Sequence, residues 1–126
     1  LKAYPDIVGV WTICNGATEG VKPGQTATPA ECKARLAKDV ARYEKAIRRC
    51  LPEPLPHGML VAFISVAYNI GPDAFCKSSM AKYAYSDPVR ACGSLLLYNK
   101  AGGEVVRGLV HRRAAEHAIC RDGLRP

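Results

Sequence analysis

The chain is poor in aromatic residues, which make up 7% of it and include a single tryptophan. Sequence-tolerant nucleic-acid binding relies on bases stacking on aromatics beside arginines, and no such interleaving occurs here. No nucleic-acid motif is readable either. There is no C-x-x-C pair, the closest cysteines being Cys76 and Cys92, 16 apart, so zinc-ligand spacing is absent. His57, His111 and His117 fit neither a metal site nor a nucleophile triad, and no P-loop or dinucleotide fingerprint is present. No metal or cofactor is expected. No apolar run reaches the roughly 20 residues that cross a bilayer. The longest, MLVAFISVAYNI at 59–70, reads instead as a buried helix. No secretory leader remains, and residue 1 is Leu, which suggests a start within something longer or after a processing cut.

What is there is an ordinary globular composition, 48% hydrophobic and 23% charged over 126 residues. That suits one domain, 1–126, with its own core. The net charge of +7 is compatible with nucleic acid, an anionic membrane or an anionic wall polymer. Six cysteines at 14, 32, 50, 76, 92 and 120 read as three disulfides of an oxidising compartment, periplasm or exterior. Their number allows about 15 pairings.

Residues 1–27 lack helical periodicity and carry Gly9, Gly16, Gly20, Pro23 and Gly24 among β-formers such as Ile7, Val8, Val10, Trp11 and Ile13. They predict a small β-hairpin lobe. TPAE then signals a helix start, with Thr28 as N-cap, Pro29 in the first turn and Glu31 closing a capping box. Cys32, Leu36, Val40, Tyr43, Ile47 and Cys50 form its apolar stripe. Lys33, Arg35, Lys38, Arg42, Lys45 and Arg49 occupy other faces, so much of the positive charge is the outside of one amphipathic helix. The proline-rich LPEPLPH at 51–57 is a connector. Gly58 to Ile70 predicts a central helix buried all round, ended by Gly71-Pro72. A short helix capped by Ser78 or Ser79 follows, then one starting at Asp87-Pro88 with Cys92, Leu95 and Leu96 inward. AGG at 101–103 is a turn, and a last helix runs from about Glu104 to Cys120, with Val106, Leu109, Val110, Arg113 and His117 at helical spacing. A β lobe (1–27) before a mainly helical lobe (28–126) is an α+β architecture, with the cleft between lobes as the natural site.

Four segments carry a resemblance, in order, over nearly the whole chain: AYPDIVGVWTIC with NGAT, TPAECKARLAKDV, VAFISVAYNIGPDAFCKSSM and NKAGGEVVRGLVHRRAAEHAIC. Together they resemble the phage-type lysozymes, glycoside hydrolase family 24, and especially the disulfide-bearing endolysins. The resemblance implies a lysozyme-like fold. It also implies cleavage of the β-1,4 bond between N-acetylmuramic acid and N-acetylglucosamine, with peptidoglycan glycan strands as partner, no nucleic acid and a monomeric protein.

The family's catalytic pattern is similar to Glu-x8-Asp-x5-Thr, and Asp6 and Thr12, with five residues between them, match its last two positions. The Glu falls four residues ahead of Leu1. Two expectations stay open: either the acid lies outside this sequence, or the chain is a relative that binds wall polymer without hydrolysing it. Glu19 is a third, displaced candidate for the acid. The chain departs from the family at Ala17, where Gly-His-Thr is usual around 16–18, and at Leu97 or Tyr98, where a Trp is common. Thr18, Tyr68, Asn69 and Ser78 match positions that face sugar, while Arg112, Arg113 and Glu116 resemble the structural ion pairs of the terminal helix.

The placement of the cysteines on the expected helices favours sequential disulfides, Cys14–Cys32, Cys50–Cys76 and Cys92–Cys120. Some relatives exchange cysteines to switch activity, so a rearranged pair is the rival expectation.

Overall fold

A computed structural model describes residues 4–5, 11–12, 25–26 and 28–125. Two short strands, β1 (Tyr4–Pro5) and β2 (Trp11–Thr12), pair antiparallel with Tyr4 opposite Thr12 and Pro5 opposite Trp11. The rest is mainly helical: α1 (Pro29–Arg48), α2 (His57–Ile70), α3 (Pro72–Cys76), α4 (Ser79–Tyr83), α5 (Pro88–Ser94) and α6 (Arg107–Asp122). A 3-10 turn at Leu95–Leu97 and a second hairpin, β3 (Lys100–Ala101) with β4 (Glu104–Val105), sit between α5 and α6. This is the expected α+β class, a small antiparallel sheet beside a helical lobe.

The capping box of α1 is present in both directions: Glu31 N donates to Thr28 Oγ1 at 3.1 Å and Thr28 N donates to Glu31 Oε1 at 2.9 Å. Those bonds hold the Glu31 carboxyl below its usual range. The stripe of α1, however, is only partly buried. Tyr43, Ile47 and Cys50 join the core, whereas Leu36 is 51% and Val40 37% exposed. The core formed by the other helices meets only the C-terminal half of α1.

At the centre lies α2. Met59, Ala62, Phe63, Val66 and Ala67 are fully enclosed, against Ile47 of α1, Phe75 of α3, Met80 of α4, Cys92 of α5 and Cys120 of α6. Phe63 and Phe75 pack as a tilted pair with centroids 5.1 Å apart. The expected burial of α2 on every side fails at Val61 and Asn69, which stay exposed. Two tethers close this lobe. Cys50–Cys76 joins the end of α1 to α3 with Cα atoms 5.6 Å apart, and Cys92–Cys120 joins α5 to α6 at 5.7 Å. Cys32 is disulfide-bonded too; its expected partner, Cys14, lies outside the described residues.

Three expectations need correction. Gly71-Pro72 does end α2, with Gly71 at φ 93°, but Pro72 also opens α3, because proline at a helix's first position gives up no hydrogen bond. The AGG turn closes a hairpin rather than joining two helices: Gly102 and Gly103 both have positive φ (60° and 83°), as the type I′ hairpin turn requires. Glu104 and Val105 are therefore strand, and the last helix starts at Arg107. Finally, Leu96 and Val110 face outward, and the inward face of α6 is Arg113, Glu116 and Cys120. An ion pair, not an apolar stripe, fills that part of the interior.

Candidate active site

The described part of the candidate site is the face where the C-terminal end of α2 meets the middle of α1 and the middle of α6. On α2, Ser65, Tyr68 and Asn69 are three and four residues apart and so share one side of the helix. Tyr68 is half-buried and makes an edge-on contact with Tyr43 of α1, centroids 5.2 Å apart. Burial, then the negative charge of Asp39, push the Tyr68 hydroxyl above the ordinary tyrosine value of 10.0. Asp39 is itself nearly buried, with Arg35 Nε at 3.7 Å and Arg42 Nη2 at 3.5 Å from its carboxylate. The Arg42 guanidinium also lies 5.0 Å above the Tyr43 ring.

Beneath Asn69 runs a polar network that no hydropathy pattern announces. Arg113 has no exposed surface and Glu116 has 3%. Arg113 Nη2 donates to Glu116 Oε2 at 2.7 Å, and its Nη1 donates to Asn69 Oδ1 at 2.8 Å and to the Tyr98 carbonyl at 3.5 Å. Arg113 Nε and Glu116 Oε1 are also in ion contact, though not aligned as a hydrogen bond. Ser65 Oγ donates to Glu116 Oε2, and Arg112 Nε lies 3.6 Å from that same oxygen. Burial lowers the Arg113 guanidinium's proton affinity, and the bond to Glu116 opposes the shift. The terminal-helix charges thus form a clasp between α6 and α2.

The sequence candidates are distributed as follows. Tyr68 and Asn69 lie side by side on this face, Asn69 exposed. Ser78 is 6% exposed, and its hydroxyl is committed to the fold: it donates to the Phe75 carbonyl at 2.5 Å and accepts from Ala81 N at 3.4 Å as the N-cap of α4. Thr12 is placed through its backbone in β2. Asp6, Thr18 and Glu19 lie outside the described residues. The sequence reading missed Asp39 and Ser65; Tyr43 it placed only in a core stripe.

Chemically, the face offers an amide, a phenol and fixed charges, the means to hold a sugar rather than break a bond. Its carboxylates among the described residues, Asp39 and Glu116, are both ion-paired. Among the described residues no cluster of His, Cys, Asp and Glu could hold a metal. A shallow groove of about 830 Å³, lined by Val89, His117, Ile119, Arg121 and Leu124, lies at the far end of α6. That end abuts Gly58, and Gly58 is roughly 16 Å along α2 from Asn69.

The architecture is that of a lysozyme-like domain. It superposes on an endolysin from Escherichia coli O157:H7 phage FAHEc1 with a TM-score of 0.82 at 27% identity, covering 100% of this chain and 85% of that one. It superposes on the active form of P1 phage endolysin Lyz with a TM-score of 0.81 at 28% identity, covering 98% and 77%. In sequence it is 39% identical over 119 residues to the SAR-endolysin of Enterobacteria phage P21, spanning 93% of this chain and 72% of that protein. The phage lysozyme family model matches residues 1–116, and the chain belongs to that family, which makes it by descent a glycoside hydrolase.

Proposed function

We propose that this chain acts as a muramidase on peptidoglycan, cutting the β-1,4 bond between N-acetylmuramic acid and N-acetylglucosamine during lysis of a bacterial host. The observation that carries the reading is the phage lysozyme match over residues 1–116, a stretch that includes Asp6, Thr12, Thr18, Tyr68, Asn69 and Ser78. The non-hydrolytic wall-binding alternative is not favoured, since the relatives are endolysins.

Glycoside hydrolysis needs an acid on the leaving oxygen and a carboxylate that stabilises or attacks the oxocarbenium-like centre. In this reading Asp6 is the ionised carboxylate and Thr12 positions the attacking water. Tyr68 and Asn69 hold the glycan on the helical side, with Thr18 facing it from the other. The family's acid position falls nine before Asp6, a register outside residues 1–126. The disulfides fit an oxidising compartment, periplasm or exterior. No helix among the described residues is long and apolar enough to cross a membrane.

Clearing of permeabilised bacterial walls tests this. Residues 1–126 alone should clear them little, since general acid catalysis contributes about 10²–10⁴-fold. A form with Glu at the fitting register should clear them well, and Asp6→Asn in that form should lower the rate at least about 100-fold. A neutral Asp6→Asn would remove Asp6 from its role. Strong clearing by residues 1–126 that survives Glu19→Gln would show the acid to be elsewhere.

A further inference from the structure

We infer that the buried Arg113–Glu116 clasp fixes the polarity of the Asn69 amide, so that Asn69 turns its NH2 outward and reads the carbonyl oxygen of an N-acetyl group on the bound glycan. The inference rests on the peptidoglycan reading above and names the group that one residue recognises.

An asparagine side chain has an acceptor end and a donor end, and a free one can turn either way. Asn69 is not free. Its Oδ1 lies 2.8 Å from Arg113 Nη1, and a guanidinium only donates. Turning the amide over would set its NH2 against the NH2 of Arg113. That would leave a fully enclosed cation with one acceptor fewer, a costly exchange away from water. Arg113 cannot move aside to accept the turn. Glu116 holds Nη2 at 2.7 Å, and Ser65 and Arg112 hold Glu116 in turn. Four side chains on two helices thus determine which end of one exposed amide faces out.

An outward NH2 does not distinguish among sugar hydroxyls, because a hydroxyl both donates and accepts. It selects for a group that only accepts. The N-acetyl carbonyl is such a group and stands on both sugars of the proposed substrate. The lactyl carboxylate of muramic acid also only accepts, and the choice of probe separates the two. Asn69 is then the specificity residue, and Arg113 and Glu116 are positioning residues that never touch the sugar.

The experiment uses tri-N-acetylchitotriose, which carries N-acetyl groups and no lactyl group, with peptidoglycan sacculi as a second ligand. Asn69→Asp keeps an oxygen for Arg113 and removes the donor. Its Tm should match or exceed that of the unaltered chain, while its Kd for the trisaccharide rises about tenfold. The Asn69 side-chain NH2 resonances, identified by their loss in Asn69→Asp, should move downfield as the trisaccharide is added. Arg113→Lys, assayed at a temperature where circular dichroism shows it folded, should weaken binding several-fold. Adding Asn69→Asp to that background should then cost less than it does alone.

A role in stability only would lower the Tm of Arg113→Lys and leave Kd where it was, which would overturn the inference. An unchanged Kd in Asn69→Asp would overturn it as well. So would binding of sacculi without binding of the trisaccharide, which would point to the lactyl group. Failure of the unaltered chain to bind sacculi at all would instead overturn the peptidoglycan reading itself.

Discussion

Replacing Glu116 by Gln puts a number on the clasp. The substitution keeps size and one acceptor oxygen but removes the counter-charge of a guanidinium with no exposed surface. Breaking a buried pair by taking away one partner costs about 3–5 kcal/mol, because the other charge stays behind undiluted by water. The retained amide oxygen places Glu116→Gln at the lower end, about 3 kcal/mol. With about 2.1 cal/mol/K per residue, unfolding 126 residues carries an entropy of roughly 0.26 kcal/mol/K, so Tm should fall by roughly 11 °C. Urea and thermal unfolding at pH 7, followed by circular dichroism with the disulfides kept oxidised, measure the free-energy loss and the Tm. The double change Arg113→Met with Glu116→Leu removes both charges and should cost less than Glu116→Gln alone. A loss under about 1 kcal/mol for Glu116→Gln is what an exposed pair gives, and it would refute the burial argument.

Gly58→Ala should destabilise by about 1–3 kcal/mol, since a Cβ there would lie 2.6 Å from the Ile119 carbonyl oxygen and 2.9 Å from Gly123 Cα. Gly93→Ala, in α5 with open space around it, should be neutral or stabilise by up to about 1 kcal/mol in the same assay. Cys92→Ala with Cys120→Ala opens a loop of 28 residues and should cost about 3.5 kcal/mol on the chain-entropy account; non-reducing peptide mapping of the parent should recover that pair. Tyr68 bears on alkaline stability. A hydroxyl held above 10.0 in the fold contributes stability that is full below the unfolded value and is lost as pH rises through the folded one. Unfolding midpoints should therefore drop less steeply above pH 10 in Tyr68→Phe, and equal slopes would show that Tyr68 is not the group responsible.

The parts of this fold legible in the sequence are those set by local chemistry. Thr28 and Glu31 announce the start of α1 because a capping box is a contact between residues three apart. The apolar run at 59–70 announces α2 because nothing else buries so many side chains together. What stayed hidden depends on contacts between distant segments. Leu36 and Val40 continue a helical stripe, yet whether a stripe is covered depends on what lies opposite it. Arg113 and Glu116 are recognisable by resemblance as an ion pair of the last helix, but their hold on Ser65 and Asn69, more than forty residues earlier, shows only in the fold. The short helix α3 was lost to a rule applied one way, proline as a terminator, although proline also begins helices. The site divides likewise: Tyr68, Asn69 and the ion pairs of the last helix were found by resemblance, while Tyr43, Asp39 and the bonds from the clasp to α2 required the fold.

Gly58, at the start of α2, touches Gly123, just past the end of α6, and this contact brings together the two ends of the segment that runs from α2 to α6. The chain enters and leaves that segment at one end of α2, while Tyr68 and Asn69 lie at the other. A side chain at either glycine would therefore pry the segment open at the end remote from Tyr68 and Asn69, so that a loss of stability there need carry no loss at the candidate site.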